Sequence, residues 1–135
     1  MVLPYNDIQT CWKLASIGLV ANKDELTIKA LPLFVDLVKC SPEFRDTGVS
    51  EHEMKQMVDF MASRHKDIYP LALRFVSEVY SGNTPHLIDL GIGYGVLQNY
   101  ESLLQSTEVT LVKESLWGLS NITASNSSHV AAFFD

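Results

Sequence analysis

The sequence has only two cysteines, Cys11 and Cys40, at no metal-binding spacing. That excludes a thiolate metal site and makes free thiols the expectation, as in intracellular proteins. No apolar run approaches the ~18–20 residues of a membrane-spanning helix, so no membrane partner is expected. The opening stretch MVLPYNDIQTCW lacks the basic segment and apolar core of a signal peptide. Positive charge is scarce: 10 Lys and Arg face 16 Asp and Glu, a net charge of −6. A nucleic-acid binder would carry a basic patch, so nucleic acid is not an expected partner. The four histidines are scattered, and no Ser/His/Asp or Cys/His arrangement is legible. No residue is therefore assigned to catalysis, a metal or a cofactor. What remains is 135 residues, 47% apolar and 19% charged, the balance of one soluble domain.

Nearly every periodic segment predicts helix. Residues 8–21 form one candidate. Asn22-Lys23-Asp24-Glu25 has the form of a capping box, and the helix after it is expected to break near Pro32, where a new one starts and runs to about Cys40. Ser41-Pro42 is expected to stop that helix, with loop over 43–49. Ser50-Glu51-His52-Glu53 is a second capping box. Met54, Met57, Val58 and Met61 follow at i, i+3, i+4 and i+7, an amphipathic helix with methionine as core filler. Asp67 and Pro70 open the next helix, whose apolar face is Leu71, Phe75, Val76 and Val79. Thr84-Pro85 begins a short helix ending at Gly91. Helices over 95–105 and 108–124 follow, and a last one begins near His129.

Asp89-Leu90-Gly91-Ile92-Gly93-Tyr94-Gly95 is a full D-x-G-x-G-x-G. After a strand it would suggest an S-adenosylmethionine pocket. Thr84-Pro85 is a helix-start signal just before it, and only 40 residues follow Gly95, too few for a doubly wound sheet. The ribose-binding carboxylate should end a second strand, but the nearest candidate, Glu108, precedes the apolar run VTLV. The expectation is a glycine corner between helices, with Gly91 at positive φ; a methyltransferase is the less favoured alternative.

The chain also repeats itself. LRFVSEVYSGNTPHL (73–87) aligns without gaps on LWGLSNITASNSSHV (116–130), an offset of 43 residues. Ser77 falls on Ser120, Val79 on Ile122, Asn83 on Asn126 and His86 on His129. That period lies in the armadillo range. VKESLWGLSNITASNSSHVAAFFD (112–135) resembles the third helix of an armadillo repeat of the importin-α (karyopherin-α) family, running into the next repeat. Trp117, Ser120 and Asn121 supply its W-x-x-S-N pattern. LALRFVSEVYSG (71–82) resembles the preceding third helix, with Arg74 at the tryptophan position. IQTCWKLASIG (8–18) resembles an earlier one through Trp12, and ALPLFVDLVKCSPE (30–43) a second helix. Trp12 and Arg74 lie 62 residues apart, too far for one repeat, so 43–60 is expected to be an insertion or divergent helix. The resemblance implies an all-α, armadillo-type right-handed solenoid of about two and a half repeats. It forms a single segment over 1–135, irregular over 1–66 and regular over 67–135, with the last repeat incomplete. A truncated or divergent gene product is expected.

On helix 108–124, Val109, Val112, Leu116 and Leu119 form the expected core stripe, with Thr110, Glu114, Trp117 and Asn121 opposite. An exposed indole beside an amide and a carboxylate fits a peptide groove. Packing of Trp117 on a neighbouring repeat, with Asn121 capping a turn, is the structural alternative. The resemblance implies that Trp117 and Asn121 hold an extended peptide and that Glu114 pairs with its basic side chains. Arg74, Glu78 and Ser81 would line the same surface one repeat away, and Trp12 and Ser16 one further. Glu78 and Ser16 stand where the family has asparagine, so those two backbone clamps are missing; a carboxylate cannot donate to a peptide carbonyl. The surface alternative for Arg74 and Glu78 is an i, i+4 ion pair. The implied partner is a basic nuclear-localisation peptide, the implied role import into the nucleus, and the implied location cytoplasm and nucleus. The family engages importin-β through a basic N-terminal arm; none is visible here, so that contact is not expected. A non-transport armadillo scaffold is the alternative within the same fold.

Overall fold

The computed structural model describes residues 24–125, which form seven helices and, among the described residues, no strand. They are α1 (Asp24–Cys40), α2 (Pro42–Thr47), α3 (Glu51–Met61), α4 (Tyr69–Tyr80), α5 (Pro85–Gly93), α6 (Val96–Leu104) and α7 (Val109–Ser125). The expected helices over 8–21 and from His129, and the Asn22 cap, lie outside the described residues.

α1 is one continuous helix with Pro32 inside it, not two helices divided there. An interior proline costs about 3 kcal/mol through its missing N–H and its ring clash. Burial offsets that cost: Leu31, Phe34, Val35 and Val38 are all buried on one unbroken face, while Pro32 is exposed. α2 occupies the expected loop. Ser41-Pro42 is a helix start rather than only a stop. Ser41 Oγ accepts from the Phe44 N–H at 3.1 Å, Pro42 sits in the first turn, and Phe44 is buried. α3 follows its pattern closely. Ser50 Oγ accepts from the Glu53 N–H at 3.2 Å, and Met54, Met57, Val58 and Met61 are all buried. α4 starts two residues after Asp67, with Ile68 at its cap and Pro70 in the first turn.

The glycine string departs from expectation in its details. α5 runs through Gly91 to Gly93, so residues 87–89 are helical and cannot be the buried strand a methyltransferase requires. The left-handed residue is Gly95, at φ 91°, not Gly91. Gly95 turns the chain from α5 into α6, a conformation costly for any residue with a Cβ. Gly91 serves instead to let the Tyr80 hydroxyl approach α5.

α2–α3–α4 and α5–α6–α7 are two units in the same order. Pro42 and Pro85, which open α2 and α5, are 43 residues apart, as are Met61 and Leu104, which end α3 and α6. Of the two expectations for residues 43–60, the insertion falls and the helical one stands: they are most of the first two helices of a unit. α4 packs on α1 on one side and on α7 on the other; α3 meets α5, and α6 lies against α7. The core runs through all seven helices without a break, as in a solenoid where each unit covers its neighbour.

Candidate functional site

The expected core stripe of α7 is not the buried one. Leu111, Ser115, Gly118, Leu119 and Ile122 are buried, whereas Val109 is 65% and Leu116 54% exposed, and Val112 is half-buried. Of the expected four, only Leu119 belongs to the core. The reason is the size of what lies beneath α7. Tyr100 of α6 is fully buried, and its hydroxyl bonds Ser77 Oγ of α4 at 2.8 Å. Room for that pair exists because Gly118 has no side chain and Ser115 a small one. A Cβ at Gly118 would lie 2.6 Å from Ser77 Oγ and would run into the Tyr100 hydroxyl. Val109, Leu116 and Trp117 therefore lie outward, while Leu111, Leu119 and Ile122 flank the two small residues in the core. Leu119 and its α6 neighbours Leu97, Glu101 and Leu104 line a shallow cavity of about 270 Å³. One unit earlier, where α3 and α4 meet α5 and α7, the equivalent Met54, Val58, Met61 and Val76 are all buried.

The other flank of α7 carries the candidate site residues. Trp117 is 40% exposed and Asn121 half-buried. The Asn121 Nδ2 donates to the Ser77 carbonyl at 3.3 Å, which ties its amide to α4. Among the described residues, one N–H and the side-chain carbonyl remain for other partners. On α4, every residue from 71 to 81 is buried except Leu71, Arg74, Glu78, and Ser81. The expected polar stripe is thus the non-buried edge of α4, facing the Trp117 flank of α7. In the 43-residue register Arg74 is the counterpart of Trp117, and Glu78 of Asn121.

The electrostatics differ from expectation. Arg74 does not pair with Glu78 one turn away. Its Nε donates to Glu114 Oε1 at 2.9 Å, and its Nη2 lies 2.7 Å from the same oxygen. Glu114 is thus held by a cation from the adjacent unit and is not a free carboxylate. Ser81 Oγ donates to the Glu78 carbonyl at 2.6 Å, back onto its own helix. Trp12 and Ser16 lie outside the described residues. The structure thus joins α4 to α7 through Arg74–Glu114 and through Asn121 on the Ser77 carbonyl, with Glu78 and Trp117 on the non-buried edges of the same two helices. The sequence pattern missed Ser77 and Tyr100, which set the spacing beneath that face; the signal was the pair of small residues, Ser115 and Gly118, three apart on α7.

Burial pushes the Tyr100 hydroxyl well above its ordinary range, the Ser77 hydrogen bond pulls it down in part, and the Glu114 charge pushes it up. Burial, then Tyr100, raises Tyr80 in the same way. Both hydroxyls ionise more readily unfolded than folded. Their contribution is intact below the unfolded value of about pH 10 and is lost as pH rises from there through the folded values. Urea midpoints should hold steady up to about pH 9 and fall above about pH 10. The fall should flatten in a Tyr80→Phe/Tyr100→Phe variant; an equally steep fall in that variant would refute the assignment.

Among the described residues no cluster of three His, Cys, Asp or Glu is placed to hold a metal, and no helix is long and apolar enough to cross a membrane. The Armadillo/beta-catenin-like repeat family matches residues 84–124, which are α5, α6 and nearly all of α7. The chain carries an armadillo-type repeat. The two-unit architecture extends that armadillo pattern backward, since α2–α4 repeat the order and spacing of α5–α7. Two engineered proteins with crystal structures are similar in fold. One has a TM-score of 0.75 at 20% identity, covering 96% of this chain and 50% of its own. The other has a TM-score of 0.76 at 20% identity, covering 95% of this chain and 30% of its own. This chain thus spans half the length of the first and less of the second, and at that identity the likeness concerns the fold alone. Among curated proteins, none matches this sequence. The fold is an all-α armadillo-type solenoid.

Proposed function

We propose that this protein is an interaction scaffold, and that the α4–α7 face holds an extended peptide segment of a partner protein. The observation that carries this reading is Asn121 beside Trp117. A large indole face lies 40% open, next to an amide oriented by Ser77 that, among the described residues, has one donor and one acceptor unspent. Such an amide can bridge a peptide's N–H and C=O whatever its sequence, and the indole can cover a side-chain stem. No reaction is assigned to the face, and the scaffold reading needs none.

The narrower reading, a nuclear-localisation adaptor taking lysine-rich cargo, rests on the complete Trp117/Asn121 pair. Against it stands Glu114, the carboxylate that would greet a lysine, which already holds Arg74. The general scaffold is the better supported of the two.

A test uses a short labelled peptide of serine, alanine and valine with a central Gln-Gln pair, followed by fluorescence anisotropy. Trp117→Ala should weaken its binding roughly tenfold, about 1–2 kcal/mol for an aromatic contact of this kind. That variant should stay folded and lose less stability than one truncating a fully buried aromatic, because the indole is 40% exposed. Equal binding by the parent and the variant would refute the proposal.

A further inference from the structure

The charge class of the ligand follows from the ion pair that joins the two units. Resting on the peptide-face reading, we infer that Arg74 is the specificity-determining residue of the α4–α7 face, and that it selects segments bearing a carboxylate side chain over segments bearing lysine or arginine. Arg74 Nε and Nη2 both converge on a single Glu114 oxygen. The pair is unequally exposed: the guanidinium side chain is 39% open and the carboxylate side chain 21%. An incoming side chain therefore meets the cation first. Two of the five guanidinium N–H groups are directed at Glu114, and the others are left in the planar fork that a carboxylate matches.

The surroundings reinforce this polarity. Lys113 is exposed on α7, one turn before Trp117, so a second cation stands at the same end of the face. Glu78 stands at the other end, level with Asn121 in the repeat register. A carboxylate placed at the Arg74–Trp117 level meets the guanidinium and the lysine while the main chain passes Asn121. A lysine placed there is repelled by both cations, and it can reach Glu114 only by displacing Arg74. Breaking that pair leaves a partly buried charge unmatched.

The experiment measures binding of three versions of the same serine-alanine-valine peptide, with a central Glu-Glu, Gln-Gln or Lys-Lys pair. The full chain should prefer Glu-Glu over Lys-Lys by roughly tenfold at low salt, the scale of one charge-assisted hydrogen bond formed and one repulsion avoided. Arg74→Ala frees Glu114 and should reverse the order. Arg74→Ala/Glu114→Gln should remove the discrimination altogether. Thermal unfolding of each variant checks that the fold is retained. If Lys-Lys binds the parent as well as Glu-Glu does, or Arg74→Ala leaves the order unchanged, the inference is overturned. If all three peptides bind equally and Trp117→Ala weakens each roughly tenfold, the peptide face stands and only its charge assignment falls. If none binds, both fall.

Discussion

Phe75→Ala is expected to cost about 4 kcal/mol of folding stability, the scale of a fully buried phenylalanine removed without collapse of its surroundings. Phe75 has no exposed surface, nor has Phe34 of α1. Their rings meet edge to face, with centroids 6.0 Å apart and planes at 81°, a geometry that adds to simple burial. The pair is the joint between α1 and α4. Domains of this size have only about 5–15 kcal/mol in hand, so the variant should unfold at much lower urea, followed by far-ultraviolet circular dichroism. A loss below about 1 kcal/mol, the middle of the range for point substitutions of all kinds, would mean that α1 does not pack on α4 as described.

The second large effect carries an unusual sign. Alanine in place of glycine inside a helix ordinarily stabilises by up to about 1 kcal/mol. At Gly118 it should destabilise by about 3 kcal/mol, since the added methyl meets the Tyr100 ring and Ser77 Oγ and overpacks a filled core. The hydrogen bond between those two side chains is buried, so neither can swing aside without orphaning a hydroxyl. Gly93→Ala is the control. No atom lies within 4 Å of a Cβ built there, so it should be neutral or slightly stabilising. Similar melting curves for the two variants would contradict the close approach of α6 and α7. Displacing α7 also moves Trp117 and Asn121 relative to Arg74, so Gly118→Ala should weaken peptide binding without touching the peptide.

These two sites show which parts of the molecule are legible in its sequence. α3 is legible because its cap and its four apolar positions agree in period, and nothing in the tertiary structure overrides them. α2 is not, because six residues are too short for periodicity and Ser41-Pro42 serves equally as a stop and a start. α1 reads as two helices because proline's local cost is visible in sequence, while the face buried on both sides of Pro32 is not. On α7 the most apolar residues suggest the core, yet the core there takes Ser115 and Gly118 because Tyr100 fills the space from outside the helix. For the candidate site, the grouping on one face follows from helical spacing and the 43-residue register. The Arg74–Glu114 pair does not, because its members lie on different helices 40 residues apart, and only packing selects Glu114 over the nearer Glu78.

The same contrast separates the scaffold from its narrower relatives. A solenoid of repeating units is set by core periodicity, and the armadillo-type repeat over 84–124 is shared at that level. The ligand is set by a handful of surface side chains, which can change while every core position stays as it is. Here the counterpart of Trp117 one unit earlier is Arg74 and the counterpart of Asn121 is Glu78, so the two units offer different chemistry on the same framework.

The measurement that bears most directly on the central claim is amide and indole chemical-shift mapping of the isotopically labelled full chain during titration with the Glu-Glu peptide. Saturable shifts should gather at Arg74, Glu78, Glu114, Asn121 and the Trp117 indole N–H, and in Trp117→Ala the shifts on α4 and α7 should need roughly tenfold more peptide to saturate. Shifts gathered instead around Leu97, Glu101 and Leu104, or no saturable shifts on α4 and α7, would contradict the account.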